Sequence, residues 1–401
     1  MTSEWHEVPL RELVGYISKG IAPSYAEEAS ESTIRVLNQK CNRNFRISYG
    51  DSRLHDTRKK KVPPERYVKP DDILINSTGA GTAGRIAQIE DVPSATTIDG
   101  HMILIRSNGK VTQKFLGYAL KAHQWEVLQL DEGSTGQTEL NRDRLLDEIM
   151  INYPVSLDEQ NAIVGTLESI DRKLIVNEQL NDNLEQQAQS YFHELFVDNA
   201  SPEWTTGTIS DLGTVVGGST PSKAKPEYYT ESGIAWITPK DLSINKSKFV
   251  SHGENDITEL GLRNSSASLM PEGTVLFSSR APIGYIAIAA GEVTTNQGFK
   301  SVVPKPEIGT PFVYFFLKNT LPVIEGMASG STFKEVSGST MKNVSAVIPD
   351  AETLAKFSDF CAPIFAQQRI LEEQNQSLAT LRDNLLPKLM SGEIDVSAVQ
   401  L

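Results

Sequence analysis

The stretch STGAGTAGRIA at residues 77–87 sets Gly79, Gly81 and Gly84 in the spacing G-x-G-x-x-G, behind the apolar run DILIN and about twenty residues ahead of Asp99. That spacing serves a dinucleotide where a strand turns tightly into a helix whose free N–H groups face a pyrophosphate. The residues after Gly84 do not supply the helix. Ile86 and Ile89 stand among polar residues, and Val92, Pro93, Thr96 and Thr97 interrupt any helical stripe. The stretch reads as strand, turn and strand.

Other residue types invite chemistry and lack its context. NYP at 152–154 matches part of the catalytic motif of adenine methyltransferases, without its second proline or the aromatic that follows. DRK at 171–173 has the types of a nuclease metal site but falls on a long helical segment. The six histidines (His6, His55, His101, His123, His193 and His252) form no H-E-x-x-H and no Cys/His cluster, and no G-x-S-x-G elbow occurs. Cys41 and Cys361 lie in different halves without ligand-like neighbours and are expected to be free thiols. No metal site is expected, and nothing points to catalysis by this chain alone.

Binding is the remaining reading, and charge locates it. The 401-residue chain carries a net charge of −13, which argues against nucleic acid on average. Residues 31–69 hold eleven Lys and Arg against four acids, a net of +7, whereas residues 158–197 hold eight acids against two bases, a net of −6. In the basic segment Arg43, Arg46, Arg53 and Arg58 are interleaved with Asn42, Asn44, Phe45 and Tyr49 ahead of the run Lys59, Lys60 and Lys61, a mixture suited to phosphates and base edges. Lys223, Lys225, Lys240, Lys246 and Lys248 fall near the matching position of the second half. The alternative for both groups is an ordinary solvated face. The opening MTSEWHEVPLREL lacks a signal-peptide core, and the longest apolar run, FVYFFL, is too short for a bilayer, so a cytoplasmic protein is expected.

The elements that position these residues are duplicated. Trp5 answers Trp204, KPDDILINS answers MPEGTVLFSS, GRIA at Gly84 answers GYIA at Gly284, ATTIDG answers VTTNQG, FLGYALK answers FVYFFLK, and GSTGQTEL answers GSTFKEVS. The counterpart of the glycine stretch is SSRAPIGYIA, which keeps only the last glycine. Gly84 and Gly284 are therefore expected to mark a turn needing positive φ or close backbone approach rather than a phosphate loop. Runs such as ILIN and TVLFSS, taken as alternating, together with short helical stretches near KFLGYALKAHQWEVLQL, give each half a mixed α/β (α+β) domain.

Each half closes with a long helical segment. Ile163, Leu167, Ile170, Leu174, Asn177, Asn181, Leu184, Ala188, Tyr191 and Leu195 follow coiled-coil spacing, as do Phe357, Cys361, Ile364, Gln368, Leu371, Asn375, Leu378, Arg382, Leu385 and Leu389. Two such helices are hard to bury within domains of about 150 residues, which favours antiparallel pairing through Ile163, Leu167, Ile170, Leu174 and Leu184 against Ile364, Leu371, Leu378 and Leu385. Pro363 is expected to kink the second helix or delay its start. The resulting organisation is a first domain at 1–157, a spacer helix at 158–200, a second domain at 203–350 and a returning helix at 351–395, arranged as a dumbbell with a pseudo-two-fold.

With the paired domains, GGSTPS followed by IAWITPKDL, VLFSSRAPIGYIA, and GSTGQTELNRDRL running into PVSLDEQNAIV before the long helix, the chain resembles the specificity subunits of type I restriction-modification systems over nearly its whole length. It departs from them where PDAETLAKF replaces the Glu159-Gln160 helix start and where the first half keeps only KGIAPS. The resemblance implies a non-catalytic subunit whose domains each read one half of a split, asymmetric duplex target and whose helices dock two methyltransferase subunits. It also implies that S-adenosylmethionine belongs to those partners, and ATP with Mg to a motor-nuclease subunit. On this reading Arg43, Arg46, Lys59, Lys60 and Lys61 serve one half-site, and Lys223, Lys225, Arg280 and Lys300 the other. A coiled-coil scaffold joining two protein-binding domains, or a methyltransferase or nuclease with fused recognition domains, are the competing classes.

Overall fold

The computed structural model describes residues 4–79, 81–132, 139–330 and 334–396. Ala80 of the glycine stretch and most of the paired GST segments lie outside them. The chain forms two compact units, Met1–Leu174 with Leu378–Leu401, and Ile175–Ser377. Neither long helix belongs to a single unit. The first, Leu157–His193, and the second, Ala351–Met390, each contribute one part to each unit.

The duplicated sequence folds as duplicated topology. In the first unit Trp5–Pro9 pairs antiparallel with Met150–Pro154, and a four-stranded sheet runs Val14–Lys19, Met102–Ser107, Ile73–Asn76, Ile86–Gln88. A second sheet runs Thr96–Ile98, Thr33–Leu37, Arg53–Asp56, Tyr25–Ala26, its first pair parallel. In the second unit Thr205–Thr208 pairs with Ser345–Ile348. Gly213–Gly217, Lys300–Pro304, Val275–Ser279 and Ile283–Ala289 repeat the first sheet, and Thr294–Thr295, Ile234–Ile237, Asn255–Ile257 and Tyr229–Thr230 the second.

The strands read as alternating are in fact covered on both faces. Ile73, Leu74 and Ile75 are all fully buried: Ile73 and Ile75 join the core under helix Gln113–Ala122, while Leu74 joins a separate core with Met102 and Leu104. Successive residues of a strand point to opposite faces, so two cores demand an unbroken apolar run rather than alternation. Val275 and Phe277 against Leu276 repeat this arrangement.

The glycine stretch is a turn between the antiparallel strands Ile73–Asn76 and Ile86–Gln88. Gly84 has φ 84° and Gly284 φ 95°. A Cβ on Gly84 would stand 2.9 Å from the Val127 carbonyl, and one on Gly284 2.7 Å from Leu321 Cδ1. Each glycine lets its turn lie against the helical segment that follows in its own unit, and the described residues after Gly84 lead into the strand Ile86–Gln88 rather than a helix. NYP ends the strand Met150–Pro154, and Asp171 lies on the first long helix.

Pro363 neither delays nor ends the second long helix, which runs from Ala351 to Met390 with Pro363 and Pro387 inside it. Cys361, Ile364 and Phe365 around it all join the second unit's core. Their packing offsets the missing hydrogen bond at the proline. Among the described residues no helix is long and apolar enough to cross a membrane.

Candidate nucleic-acid interface

The basic segment of the first unit is presented at two places. Asn42–Arg43 and Arg46–Ile47 form a hairpin in which Arg43 and Arg46 are direct cross-strand partners. Its turn residues Asn44 and Phe45 have φ of 53° and 61°, the left-handed pair of a type I′ turn. Asparagine tolerates that backbone, whereas a bulky residue there costs about 1–3 kcal/mol unless its surroundings hold it. Phe45 is held: its ring packs on the first unit's core, and its backbone bridges Ala87 in parallel.

Lys59, Lys60 and Lys61 are exposed on the turn after Arg53–Asp56. This turn is pinned from below by His55, which is fully buried. His55 Nδ1 accepts the Ser24 N–H at 2.9 Å, so Nε2 carries the proton and donates to the Lys60 carbonyl at 2.7 Å. Lys60 Nζ itself donates to the Ala22 carbonyl at 2.9 Å. Arg53 lies over the Tyr25 ring, 3.2 Å from its centre.

The second unit presents a more heavily paired set. Lys223 is exposed; Lys225 Nζ is 3.1 Å from the Tyr228 hydroxyl. Arg280 and Lys300 share one carboxylate, Glu335, each at 3.5 Å, and Lys300 also reaches Ser279 Oγ at 3.5 Å. The first unit has a counterpart of this pair. Leu140 N–H donates to the Ser77 carbonyl as Val336 N–H donates to Ser279, and the preceding residue, Glu139, binds Lys19. Lys240 is paired with Glu254, and Lys246 lies over the Tyr285 ring.

Lys248, grouped with these surface lysines from its sequence position, is buried instead. Its Nζ is 2.5 Å from Glu185 Oε2 and 2.6 Å from Gln368 Oε1 and sits among Tyr314, Phe315 and Phe365, so it cannot meet a phosphate. A run of lysines carries no signal separating a buried member from exposed ones. The nearest hint was the aromatic Phe249 beside it.

The long helices meet within each unit, antiparallel. In the first, Ile163 and Leu167 pack with Leu386, Leu389 and Met390, with Leu385 half-buried beside them. Ile170, Leu174 and Leu371 are buried, Leu378 is half-buried, and Leu184 flanks the second core, which contains Ile364. The polar seam positions find one another in the second unit. Asn177 Nδ2 donates to Asn375 Oδ1 at 2.9 Å, and Gln368 Nε2 to the Asn181 carbonyl at 3.2 Å, a register device of the kind polar seam residues provide.

Two half-buried carboxylates tie the helices to the domains. Asp171 accepts the Tyr118 hydroxyl at 2.8 Å, Lys121 at 3.3 Å and Arg382 at 3.2 Å. Glu185 accepts Lys318 and Lys248, both at 2.5 Å, and the Tyr314 hydroxyl at 3.2 Å. Burial pushes both carboxyls up, yet Lys121, Tyr118 and Arg382 together hold Asp171 below its ordinary range, and Lys248 with Lys318 do the same for Glu185. Gln160, part of the helix start that the second half lacks, accepts the Thr112 N–H at 2.8 Å and donates to the Pro154 carbonyl at 2.9 Å. Among the described residues no group of three or more His, Cys, Asp or Glu could hold a metal ion.

Paired two-sheet domains carrying basic turns, each bound to parts of two long helices, have direct counterparts among known proteins. The family model for the type I restriction modification DNA specificity domain matches residues 2–186 and again 202–381. The chain belongs to that family. The type I restriction enzyme MjaIX specificity subunit of Methanocaldococcus jannaschii is 38% identical over 194 residues, 46% of this chain and 45% of that protein. The HindI specificity subunit of Haemophilus influenzae is 27% identical over 194 residues, 48% of this chain and 42% of that protein. The chain thus spans less than half the length of these two relatives. The crystal structure of the type I restriction-modification S subunit from M. genitalium matches with a TM-score of 0.59 at 16% identity, over 97% of this chain and 96% of that one. At that identity the likeness is one of fold.

Proposed function

We propose that this protein is the DNA-specificity subunit of a type I restriction-modification complex, catalysing nothing itself. Each domain reads one half of a split, asymmetric duplex target, and the paired helices dock two methyltransferase subunits, which bring S-adenosylmethionine. A motor-nuclease subunit brings ATP and Mg, and the complex works in the cytoplasm. The observation that carries this reading is the double match to the DNA specificity domain family, one match on each duplicated domain. Charge supports it: the exposed Lys59, Lys60, Lys61 and Lys223 lie on domain turns, and acids outnumber bases along the first long helix, a surface suited to protein rather than phosphate.

The test is reconstitution with the methyltransferase subunits followed by sequencing of methylated sites. A two-part asymmetric motif that appears only when this chain is present is expected, with binding that weakens steeply as salt rises. Methylation at the same sites without the chain would refute the reading. Methyl transfer by the purified chain alone would favour a fused methyltransferase, and salt-insensitive failure to bind duplex DNA a protein scaffold.

A further inference from the structure

The hairpin bearing Arg43 and Arg46 is fixed at both ends. At its base Asn42 Nδ2 donates to Asn76 Oδ1 at 3.2 Å and to the Arg85 carbonyl at 2.8 Å, which ties it to the central sheet. At its tip the left-handed pair Asn44–Phe45 calls for glycine at the second position, and phenylalanine stands there. The backbone does not account for that choice; the ring does. It lies 5.0 Å from Lys121 Nζ, and Lys121 is held by Asp171, which also binds Arg382. A continuous line of contacts therefore runs from the arginine tip to both long helices inside the first unit.

We infer that Phe45 is a positioning residue for DNA recognition. Its ring, seated on Lys121, sets the direction in which Arg43 and Arg46 leave the hairpin, and so fixes the reading of one half-site against the helix pair. This rests on the function proposed above. Phe45 itself is partly buried and packs on the core, and acts on the reading of DNA through the arginines beside it. Glycine at position 45 would suit the turn while removing the ring, so Phe45→Gly separates backbone fitness from positioning.

The experiment uses the full chain assembled with its methyltransferase subunits, and randomised duplex DNA as the probe. Wild type selects a two-part motif. Phe45→Gly should weaken preference in one part by about tenfold at the affected base pairs and leave the other part unchanged. Lys121→Met should do the same, Phe45→Tyr should restore the wild-type motif, and Arg43→Ala with Arg46→Ala should weaken the same part. Both parts intact in Phe45→Gly, or both weakened equally as a general loss of structure would produce, overturns the inference while the proposed function stands. A wild type that selects no DNA removes the function and the inference together.

Discussion

Lys121 and Lys318 occupy the same place in the duplication, at the end of FLGYALK and of FVYFFLK, and each is paired with a carboxylate on the first long helix. The carboxylates are not equivalent. With the two long helices aligned by their seams, Asp171 corresponds to Phe365 and Glu185 to Ala379, and Arg382, the third member of the first cluster, corresponds to the fully buried Ala188. The hydroxyl donors differ too: Tyr118 aligns with Phe315, and Tyr314 with Gly117. A lysine drawn into a domain–helix contact must be neutralised, since an unpaired buried charge is far costlier than a paired one. Any helix position that brings an acid within reach satisfies the demand. The two copies solved it at different turns of one helix, and the second added a buried cation, Lys248, where the first uses the more exposed Arg382.

The clusters should respond unequally to loss of the acid. Lys248 has a side chain only 5% exposed, against 11% for Lys121 and 19% for Arg382. Glu185→Ala strands Lys248 among aromatic rings and should cost about 3–5 kcal/mol. Asp171→Ala leaves Arg382 paired with Asp383 at 2.7 Å, and about 1.5–3 kcal/mol is expected. Urea unfolding checks both, followed in variants that retain Trp5 and Trp125 as reporters of the first unit or Trp204 and Trp236 as reporters of the second. An equal or larger loss for Asp171→Ala would reverse the ranking drawn from burial.

Acid titration separates groups within each unit. Asp171 and Glu185 have folded pKa values below their unfolded ones, so the stability they contribute is present above about pH 4 and is lost as pH falls through the folded values. Glu372 behaves oppositely: burial pushes its carboxyl up against the Phe249 and Lys248 N–H groups and the Asn181 amide that favour its charge. Its stabilising contribution is present at low pH and lost as pH rises through the raised value. Asp99 plays the same part in the first unit, where burial outweighs the His101 N–H. Stability on acidification from neutrality should rise in both units before it falls. Glu372→Gln should remove the rise from the second-unit reporters alone, and its loss from both units would show that the reporters do not separate them.

At the domain surface, loss of an acid is expected to strengthen binding. Glu335 neutralises Arg280 and Lys300, whereas among the described residues its counterpart Glu139 is paired with Lys19. Glu335→Gln should tighten DNA binding and steepen its salt dependence by about one or two released counterions, and Glu139→Gln by about one. The measurement is fluorescence anisotropy of duplex DNA from low to moderate salt. An unchanged slope in Glu335→Gln removes Arg280 and Lys300 from the set of DNA contacts.

What the sequence made legible follows a physical division. The duplication, the turns at Gly84 and Gly284 and the seam residues Ile163, Leu167 and Ile364 are set by local pattern: a φ, a period, an apolar face. The burial of Lys248 was not legible, because its partners Glu185 and Gln368 lie 63 residues before it and 120 after it. ILIN misled as an alternating strand because it has a core on each side. The exposed Lys59 and the paired Lys300 look alike in sequence, since pairing at Glu335 depends on how strands distant in the chain are brought together.

The smallest expected difference concerns the tryptophans that open the two repeats. Trp5 Nε1 donates to Glu159 Oε1 at 3.3 Å, and Trp204 Nε1 to Asp350 Oδ2 at 2.9 Å, so each indole is tied to an acid at the start of a long helix. Carboxylates are favoured there by the helix dipole. Their other duties differ: Asp350 also accepts the Thr353 N–H at 2.8 Å and the Thr353 hydroxyl at 2.9 Å, and these two bonds, ahead of the indole, hold its carboxyl below the ordinary range. Replacing each tryptophan by phenylalanine keeps one ring and removes the N–H together with part of the ring's packing, on the first unit's core for Trp5 and on Phe196 for Trp204. Trp5→Phe should cost at least about 0.5–1.5 kcal/mol, the net worth of one hydrogen bond, with the lost packing added to it. Trp204→Phe should cost less, because Asp350 keeps both Thr353 bonds and an open path to water. It should instead move the Asp350 titration upward in carboxyl-detected NMR. Urea unfolding followed by far-ultraviolet circular dichroism ranks the two variants. A loss in Trp204→Phe as large as in Trp5→Phe, with an unmoved Asp350 titration, would mean that the indole N–H acts there through something other than this carboxylate.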